Sequence, residues 1–143
     1  MKALYTFLIV AILGACSSIQ PVAVQVGDRC LRCRRSIGDL RVAGEIVDRM
    51  RAPFPFRTAG CMAKYVKVTP AENITAIFVT DYRTGRMLQA DDAWFVPTQL
   101  TQPDGKKVES DYLAFRSRAD AEAAREGKPM LRWTQVVAEA VAN

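Results

Sequence analysis

The stretch FRTAGCMAKY, residues 56–65, contains the strand-to-helix junction on which the predicted fold depends. The prolines just before it break any preceding helix, so Phe56 ends an extended segment. Thr58 is a residue type favoured as a helix N-cap, which places Cys61 in the first helical turn. The sequence FRS at 115–117 precedes another alanine-rich segment in the same way. We therefore predict two related units, each containing one such junction.

Strands are predicted on both sides of the two helices. Residues rich in β-branched and aromatic side chains favour strands at 41–47 and 74–82, and Gly85 can take the positive φ of a turn at 83–86. The other predicted elements are a strand ending at Trp94-Phe95-Val96 with Pro97 behind it, a loop at 101–107, a strand at 112–116, a Ser117-capped helix at 118–125, a strand at 129–133 and a Thr134-capped helix at 135–142. The chain is thus predicted as an α+β fold of two similar small β-β-α-β units, about 28–82 and 86–143, which pack together after a signal peptide.

The first residues indicate export. Lys2 supplies a positive charge, and the apolar run that follows is shorter than the roughly 20 residues that a membrane-spanning helix needs. The junction LGAC at residues 13–16 resembles the lipobox of bacterial lipoproteins. That resemblance implies a lipoprotein signal peptide at 1–15, acyl chains such as palmitate on Cys16, and an acylated N-terminus and tether at 16–27. An ordinary signal peptide cut elsewhere is the alternative.

The lipobox resemblance also implies a location. The domain would be held to the lipid bilayer through Cys16, on the periplasmic face of the cell envelope. Ser17 rather than aspartate follows the cysteine. The sorting rule of many Gram-negative bacteria then implies the outer membrane rather than the inner one.

The composition excludes several function classes. The 143 residues contain no histidine, which rules out a Ser-His-Asp or Cys-His catalytic site and a c-type haem signature within this chain. The formal charge is +5, but no Lys/Arg run carries interleaved aromatic residues, so nucleic acid is not an expected partner.

Three cysteines follow the predicted anchor, namely Cys30, Cys33 and Cys61, and an odd number cannot pair completely within one chain. Four arginines flank the first two in DRCLRCRR, residues 28–35, and positive charge favours the thiolate form. The dipole of the predicted helix would do the same for Cys61, and Met62 adds a thioether. Such soft sulfur ligands select Cu(I), whereas Zn²⁺ would lack a fourth Cys or His.

Simpler interpretations of the same residues stay open. Cys30 and Cys33 could form a structural or redox-active disulfide, as a C-x-x-C pair outside the cytoplasm often does. Cys61 could be a small buried hydrophobe and Met62 a core residue. The corresponding functions are a thiol–disulfide oxidoreductase, an organomercurial-lyase-like enzyme using Cys33, Cys61 and Asp39, and a structural adaptor.

The order of motifs along the mature chain resembles the NosL family, the accessory lipoproteins of nitrous oxide reductase maturation. The matching residues are the lipobox ending at Cys16, Cys30-x-x-Cys33, an aromatic residue before Gly60-Cys61-Met62, Asp81-x-x-Thr84-Gly85, Ala90-x-x-Ala93-x-x-Val96, Ala114-Phe115 and Leu131-Arg132-Trp133. The resemblance implies two β-β-α-β units, Cu(I) binding and copper delivery outside the cytoplasm. The family usually has methionine two residues after the second cysteine, where this chain has Arg35.

The leading hypothesis is therefore a membrane-anchored Cu(I)-binding accessory protein, a metallochaperone rather than an enzyme. Cys30, Cys33 and Cys61 would be its metal ligands and Met62 a secondary one. Copper would pass by ligand exchange to the maturation machinery of a copper enzyme such as nitrous oxide reductase. The hypothesis requires that three sulfur atoms, far apart in the sequence, converge in the fold.

Overall fold

The computed structural model describes residues 18–101 and 105–141. The predicted signal peptide and Cys16 lie outside these residues, as does part of the predicted loop at 101–107. The elements are β1 (Gly44–Asp48), β2 (Pro53–Phe56), α1 (Ala59–Val68), β3 (Ile74–Thr80), β4 (Met87–Gln89), β5 (Trp94–Thr101), β6 (Val108–Phe115), α2 (Arg118–Ala124) and α3 (Trp133–Glu139), with short 3-10 turns at Ala71–Asn73 and Ala90–Asp92. Within the described ranges, no helix has both the length and the apolar character of a membrane span.

The described strands form two antiparallel sheets. The larger sheet has the order β2-β1-β3-β4, and β5 pairs with β6 in the smaller one. Together with three α-helices, these sheets confirm the predicted mixture of helices and antiparallel strands. The first half follows the order β1-β2-α1-β3, but the second half ends on a helix. The predicted arrangement of two equal β-β-α-β units is therefore not confirmed.

The prediction of a strand at 129–133 is wrong. Within that segment Leu131 alone pairs, through an isolated bridge to Phe95 of β5. Trp133 begins α3, and Thr134 lies inside the helix instead of capping it. Burial explains the difference, because the Trp133 side chain packs on the Phe95 ring at a centroid distance of 5.6 Å. The first turn of α3 holds the indole in that position.

Pro97 lies inside β5, where the sequence predicted a strand end. The N–H and carbonyl of Phe95 both bond to Leu131, so the polar backbone groups of Phe95 point away from β6. Pro97 lies two residues further on and has the same orientation, because these groups alternate along a strand. The absence of an N–H at Pro97 therefore removes no hydrogen bond to β6, and the strand continues.

Helix α1 covers the inner face of the larger sheet. Its fully buried Met62 packs with Ile46 of β1 and Val79 of β3, in a core that also contains Phe95 of the smaller sheet. Gly44 permits this close packing, since a Cβ at that position would overlap the Met62 thioether. The two sheets thus share one apolar interior, with the N-terminus of α1 at its edge.

The outer face of the larger sheet is covered by residues 18–24. Ile19 packs against Val47 near the end of β1. Val24 packs against Ala43, just before the start of that strand. The segment therefore runs antiparallel to β1, and its first residues lie at the end of the sheet where β1 turns into β2.

Candidate metal centre

Residues 28–37 fold back on themselves in a tight turn, which we name the cysteine loop. The Cys30 N–H donates to the Arg35 carbonyl at 3.0 Å, and the Arg34 N–H donates to the Cys30 carbonyl at 3.0 Å. Arg34 adopts φ +60°, the left-handed conformation that closes the turn. The loop thereby returns the chain so that Cys33 lies beside Cys30.

The cysteine loop is attached to the junction between β2 and α1. The Leu31 N–H donates to the Pro55 carbonyl at 2.9 Å, which places the loop against the end of β2. The Thr58 hydroxyl accepts the N–H of Cys61 at 3.2 Å. The predicted N-cap and the predicted position of Cys61 in the first turn of α1 are therefore confirmed.

The sulfur atoms of Cys30, Cys33 and Cys61 all lie within 4.8 Å of one another. All three cysteines are free, the first and last are buried, and Cys33 is partly exposed. A metal–thiolate bond of about 2.3 Å would set sulfur atoms about 4.0 Å apart in a trigonal site and about 4.6 Å apart in a linear one. The cluster has these dimensions, and in the described part of the chain no histidine or carboxylate joins it.

Hydrogen bonds within the cluster place a negative charge on Cys30. The thiol of Cys61 donates to the Cys30 sulfur, and this bond is the largest cause that lowers the Cys30 pKa to about 5. Burial opposes the shift, and the backbone N–H groups of Cys33 and Arg57 add to it. The same hydrogen bond raises the pKa of Cys61, and burial raises it further. The pair thus holds one proton and one charge.

This distribution corrects two predictions about the thiols. The helix dipole was expected to favour thiolate at Cys61, but donation to Cys30 and burial raise the pKa of that thiol. The charges of residues 29–35 were expected to lower the thiol pKa values. The causes that lower the Cys30 pKa are instead hydrogen bonds, from the Cys61 thiol, from the backbone N–H groups of Cys33 and Arg57, and from the Cys33 side chain.

Arg57 is the charged residue of the site that the sequence did not reveal. Its side chain is only 9% exposed, and it pairs with Glu109 of β6. Burial by itself would lower the pKa of the guanidinium, but the bonds to Glu109 and to Cys33 raise it above its ordinary value. Its Nε is buried without a hydrogen-bond partner. A permanent positive charge therefore lies against the thiol cluster.

Two acidic residues on one face of β6 complete the site. Glu109 joins Arg57 to Arg35 of the cysteine loop, at 3.4 Å from the latter. Asp111, two residues on, accepts the Gly60 N–H at 2.8 Å. A Cβ on Gly60 would lie 2.9 Å from this carboxylate, so the contact requires glycine. Burial raises the pKa of Asp111 despite these bonds.

Met62 is fully buried, and its thioether lies against Gly44 of β1. The ligand role predicted for it stays a prediction, as do the ligand roles of the three cysteines. The Phe-Arg pair repeated at the two junctions contains Arg57, but the sequence analysis used it only to predict two related units. Glu109 and Asp111 preceded the strand predicted at 112–116, so their shared face was not recognised.

The fold and the cluster together define a small α+β protein with three converging thiols beside a buried arginine. No family model matches the chain. No curated protein matches it either.

The fold itself is that of NosL. The crystal structure of the copper chaperone NosL from Shewanella denitrificans matches with a TM-score of 0.69, over 82% of this chain and 96% of that one. The two sequences are 19% identical. The predicted resemblance is thereby confirmed in the fold.

Proposed function

We propose that this chain is a Cu(I) carrier that holds the ion between Cys30, Cys33 and Cys61. The observation that supports the proposal is the convergence of the three sulfur atoms within 4.8 Å. Two of them come from the cysteine loop and one from α1. The structural neighbour is described as a copper chaperone, and a carrier rather than an enzyme agrees with that description.

Charge and coordination number favour Cu(I) over Zn²⁺. Zinc sites in proteins are nearly always four-coordinate, and the described residues offer this cluster three thiols. Cu(I) accepts fewer ligands and prefers soft sulfur. Thiolates around a monovalent ion leave a net negative charge, which the buried Arg57 guanidinium offsets. The ion would displace the proton that Cys30 and Cys61 share.

Transfer to a partner would begin at Cys33. This residue is partly exposed, while Cys30 and Cys61 are buried. An incoming thiolate or thioether can therefore reach the metal from the side of Cys33, and a three-coordinate ion has room for it. The proposed recipient is the maturation machinery of a copper enzyme such as nitrous oxide reductase.

Titration with Cu(I) tests the proposal. The full chain, reduced and purified in detergent, is titrated against a competing Cu(I) chelator. We expect one ion per chain, with affinity lowered in Cys30→Ser and Cys61→Ser by more than about 100-fold, the upper range for changes in outer-shell partners. Cys16→Ser is the matched control, since it removes a cysteine outside the cluster, and Met62→Leu tests the secondary ligand.

Two results would contradict the carrier. One is binding too weak to compete with the chelator. The other is binding that survives both cluster substitutions. A reversible Cys30–Cys33 disulfide without copper binding would favour the thiol–disulfide alternative instead, and dithiol titration of the same samples detects it.

The anchor and the location form a separate part of the proposal. Acylation of Cys16 would hold the domain on the periplasmic face of the envelope, and Ser17 favours the outer membrane. Mass measurement of the N-terminal peptide should show the acyl chains. Cys16→Ser should release the protein from the membrane fraction, and an unmodified N-terminal peptide would contradict the anchor.

A further inference from the structure

The turn between β1 and β2 carries an exposed apolar residue between two basic ones. Met50 is 78% exposed, and Arg49 and Arg51 flank it on a surface turn. Neither arginine has an ion-pair partner in the described part of the chain. An exposed methionine between unpaired cations suits an interface that is both apolar and negatively charged.

The turn is held in one conformation. The Asp48 carboxylate accepts the N–H of Met50 at 2.8 Å and the N–H of Ala52 at 2.9 Å, so its charge is engaged within the turn. Arg51 adopts φ +64°, where glycine is the favoured residue. An arginine kept in a conformation that glycine would take without strain suggests that its side chain has a use.

The N-terminal segment begins beside this turn. Ser18 and Arg51 line the same cleft, of about 220 Å³, on the outer face of the larger sheet. Cys16 precedes Ser18 by two residues, so about 7 Å of extended chain at most separates their Cα atoms. Acyl chains on Cys16 would therefore hold this end of the molecule against the headgroups.

We propose that Arg49, Met50 and Arg51 form a docking turn for a bilayer that contains anionic phospholipid. Met50 enters the interface, and the two guanidinium groups bind phosphates on either side. An exposed acid, Glu72, precedes Asn73, whose carbonyl accepts the Arg49 N–H at 3.1 Å. The inference rests on the proposed anchor at Cys16 and is independent of copper binding.

Docking through this turn orients the metal centre. β2 leads from the turn at Pro53 to Phe56 beside the cysteine loop, a distance of about 10 Å along a strand. The thiol cluster therefore lies at the opposite end of the β1–β2 hairpin from the bilayer. A soluble partner can approach Cys33 without meeting the membrane.

Fluorescence in vesicles tests the docking turn. The acylated full chain carrying Met50→Trp is reconstituted into vesicles of phosphatidylglycerol and phosphatidylcholine, some with brominated lipid as a quencher. The unsubstituted chain supplies the background from Trp94 and Trp133. Leu40→Trp is the matched control, because Leu40 is another exposed apolar residue and lies at the other end of β1. We expect a blue shift and quenching at position 50 and neither at position 40.

Paired charge removal then identifies the contribution of the arginines. Arg49→Gln with Arg51→Gln, added to Met50→Trp, should lower the ratio of docked to undocked molecules about 30-fold, since each basic residue near an anionic surface contributes about fivefold. Arg29→Gln with Arg34→Gln removes the same charge at the cysteine loop and should leave the quenching unchanged. In vesicles of pure phosphatidylcholine, the Met50→Trp chain with both arginines should lose quenching to the same extent as the variant that lacks Arg49 and Arg51.

Three results would overturn the docking turn: unquenched emission at position 50, equal quenching at positions 40 and 50, or an N-terminal peptide without acyl chains. Cu(I) titration of the same vesicles reports separately on the carrier. Loss of copper binding with quenching intact leaves the docking turn standing. Copper binding without quenching overturns the docking turn alone.

Discussion

The two strand-to-helix junctions, residues 56–62 and 115–121, have the same backbone design and different chemistry. The Thr58 hydroxyl accepts the Cys61 N–H at 3.2 Å. The Ser117 hydroxyl accepts the Asp120 N–H at 3.3 Å. Thr58 thus corresponds to Ser117, and Cys61 corresponds to Asp120. Since an aspartate at this position allows the same helix start, the helix does not require the Cys61 thiol.

The junctions also share a supporting carboxylate. Asp111 accepts the Gly60 N–H at 2.8 Å, and Asp81 accepts the Arg116 N–H at 3.2 Å. Asp81 also holds its own turn, because it accepts the Thr84 hydroxyl at 2.6 Å. The Asp81-x-x-Thr84-Gly85 motif therefore has a structural role at the second junction, away from the thiols.

The difference lies in what covers each junction. The cysteine loop lies against the first, and Arg57 is buried between it and Glu109. Arg116, the corresponding residue of the second junction, is exposed. The same Phe-Arg pair is therefore part of the candidate site in one half and a surface residue in the other. The candidate metal centre therefore requires the added cysteine loop as well as Cys61 of the first junction.

The largest expected difference between the junctions is in the free energy of unfolding after substitution of Arg57 or Arg116. Arg57→Met leaves Glu109 without its buried partner and should lower the free energy of unfolding by about 2–4 kcal/mol. Arg116→Met should change it by no more than about 0.5 kcal/mol, as surface substitutions do. Denaturant unfolding of both variants measures the difference. Glu109→Leu added to Arg57→Met should recover most of the loss, and equal effects at the two arginines would contradict the assignment.

Substitution of the small residue at the second helical position of each junction, Gly60 or Ala119, should have a smaller effect on the free energy of unfolding. Gly60→Ala places a Cβ 2.9 Å from the Asp111 carboxylate and should lower the free energy of unfolding by about 1–3 kcal/mol, because carboxylate or helix must move. Ala119→Gly at the matching position should lose about 1 kcal/mol, the difference in helix propensity. Thermal and denaturant unfolding measure both losses. A more stable Gly60→Ala would show that the close approach does not exist.

The last expected effect is on the pH dependence of stability. The pKa of Cys30 falls from 9.0 to about 5 in the fold, so between these values the native state binds fewer protons than the unfolded chain. Stability should therefore rise with pH over this range and be lost as pH falls through about 5. Above pH 9 the raised pKa of Cys61 has the opposite effect. Unfolding of the reduced, metal-free protein should lose most of this slope in Cys61→Ala, which removes the hydrogen-bond donor to Cys30.

The second junction titrates in a different range. Burial would raise the pKa of Asp81, but the Thr84 hydroxyl and the Arg116 N–H hold it below the ordinary 3.8. Its contribution to stability is present above that value and lost as pH falls further. Asp81→Asn should therefore lower the free energy of unfolding at neutral pH and remove the slope that the unsubstituted protein shows as pH falls below 3.8. A slope between pH 5 and 9 that persists unchanged in Cys61→Ala would contradict the assignment of that range to the thiol pair.

Sequence reasoning found the parts of the site that depend on local structure. The cap at Thr58 and the helical position of Cys61 follow from short-range hydrogen bonding, which residue type and spacing indicate. The pair between Arg57 and Glu109 joins positions 52 residues apart. Such a contact depends on how the sheets pack, and no local pattern in one sequence reveals it.

The errors in the second half have the same origin. The segment 129–133 has strand-like composition, but Trp133 reaches the core from a helix, and tertiary packing overrides local preference. Pro97 was expected to end its strand, yet the missing N–H faces away from β6. The direction in which each backbone N–H points depends on how the strands pair in the sheet, and amino-acid composition does not predict it.

The thiol cluster joins two segments that otherwise have separate positions in the chain, the cysteine loop and α1. A bound ion would therefore act as a cross-link that closes a loop of roughly thirty residues in the unfolded chain. Any ligand that binds the native state alone adds about 4 kcal/mol of stability at a thousandfold excess over its dissociation constant. Empty and loaded molecules would then differ in resistance to proteases, so that supply of the ion would govern how much of the protein survives.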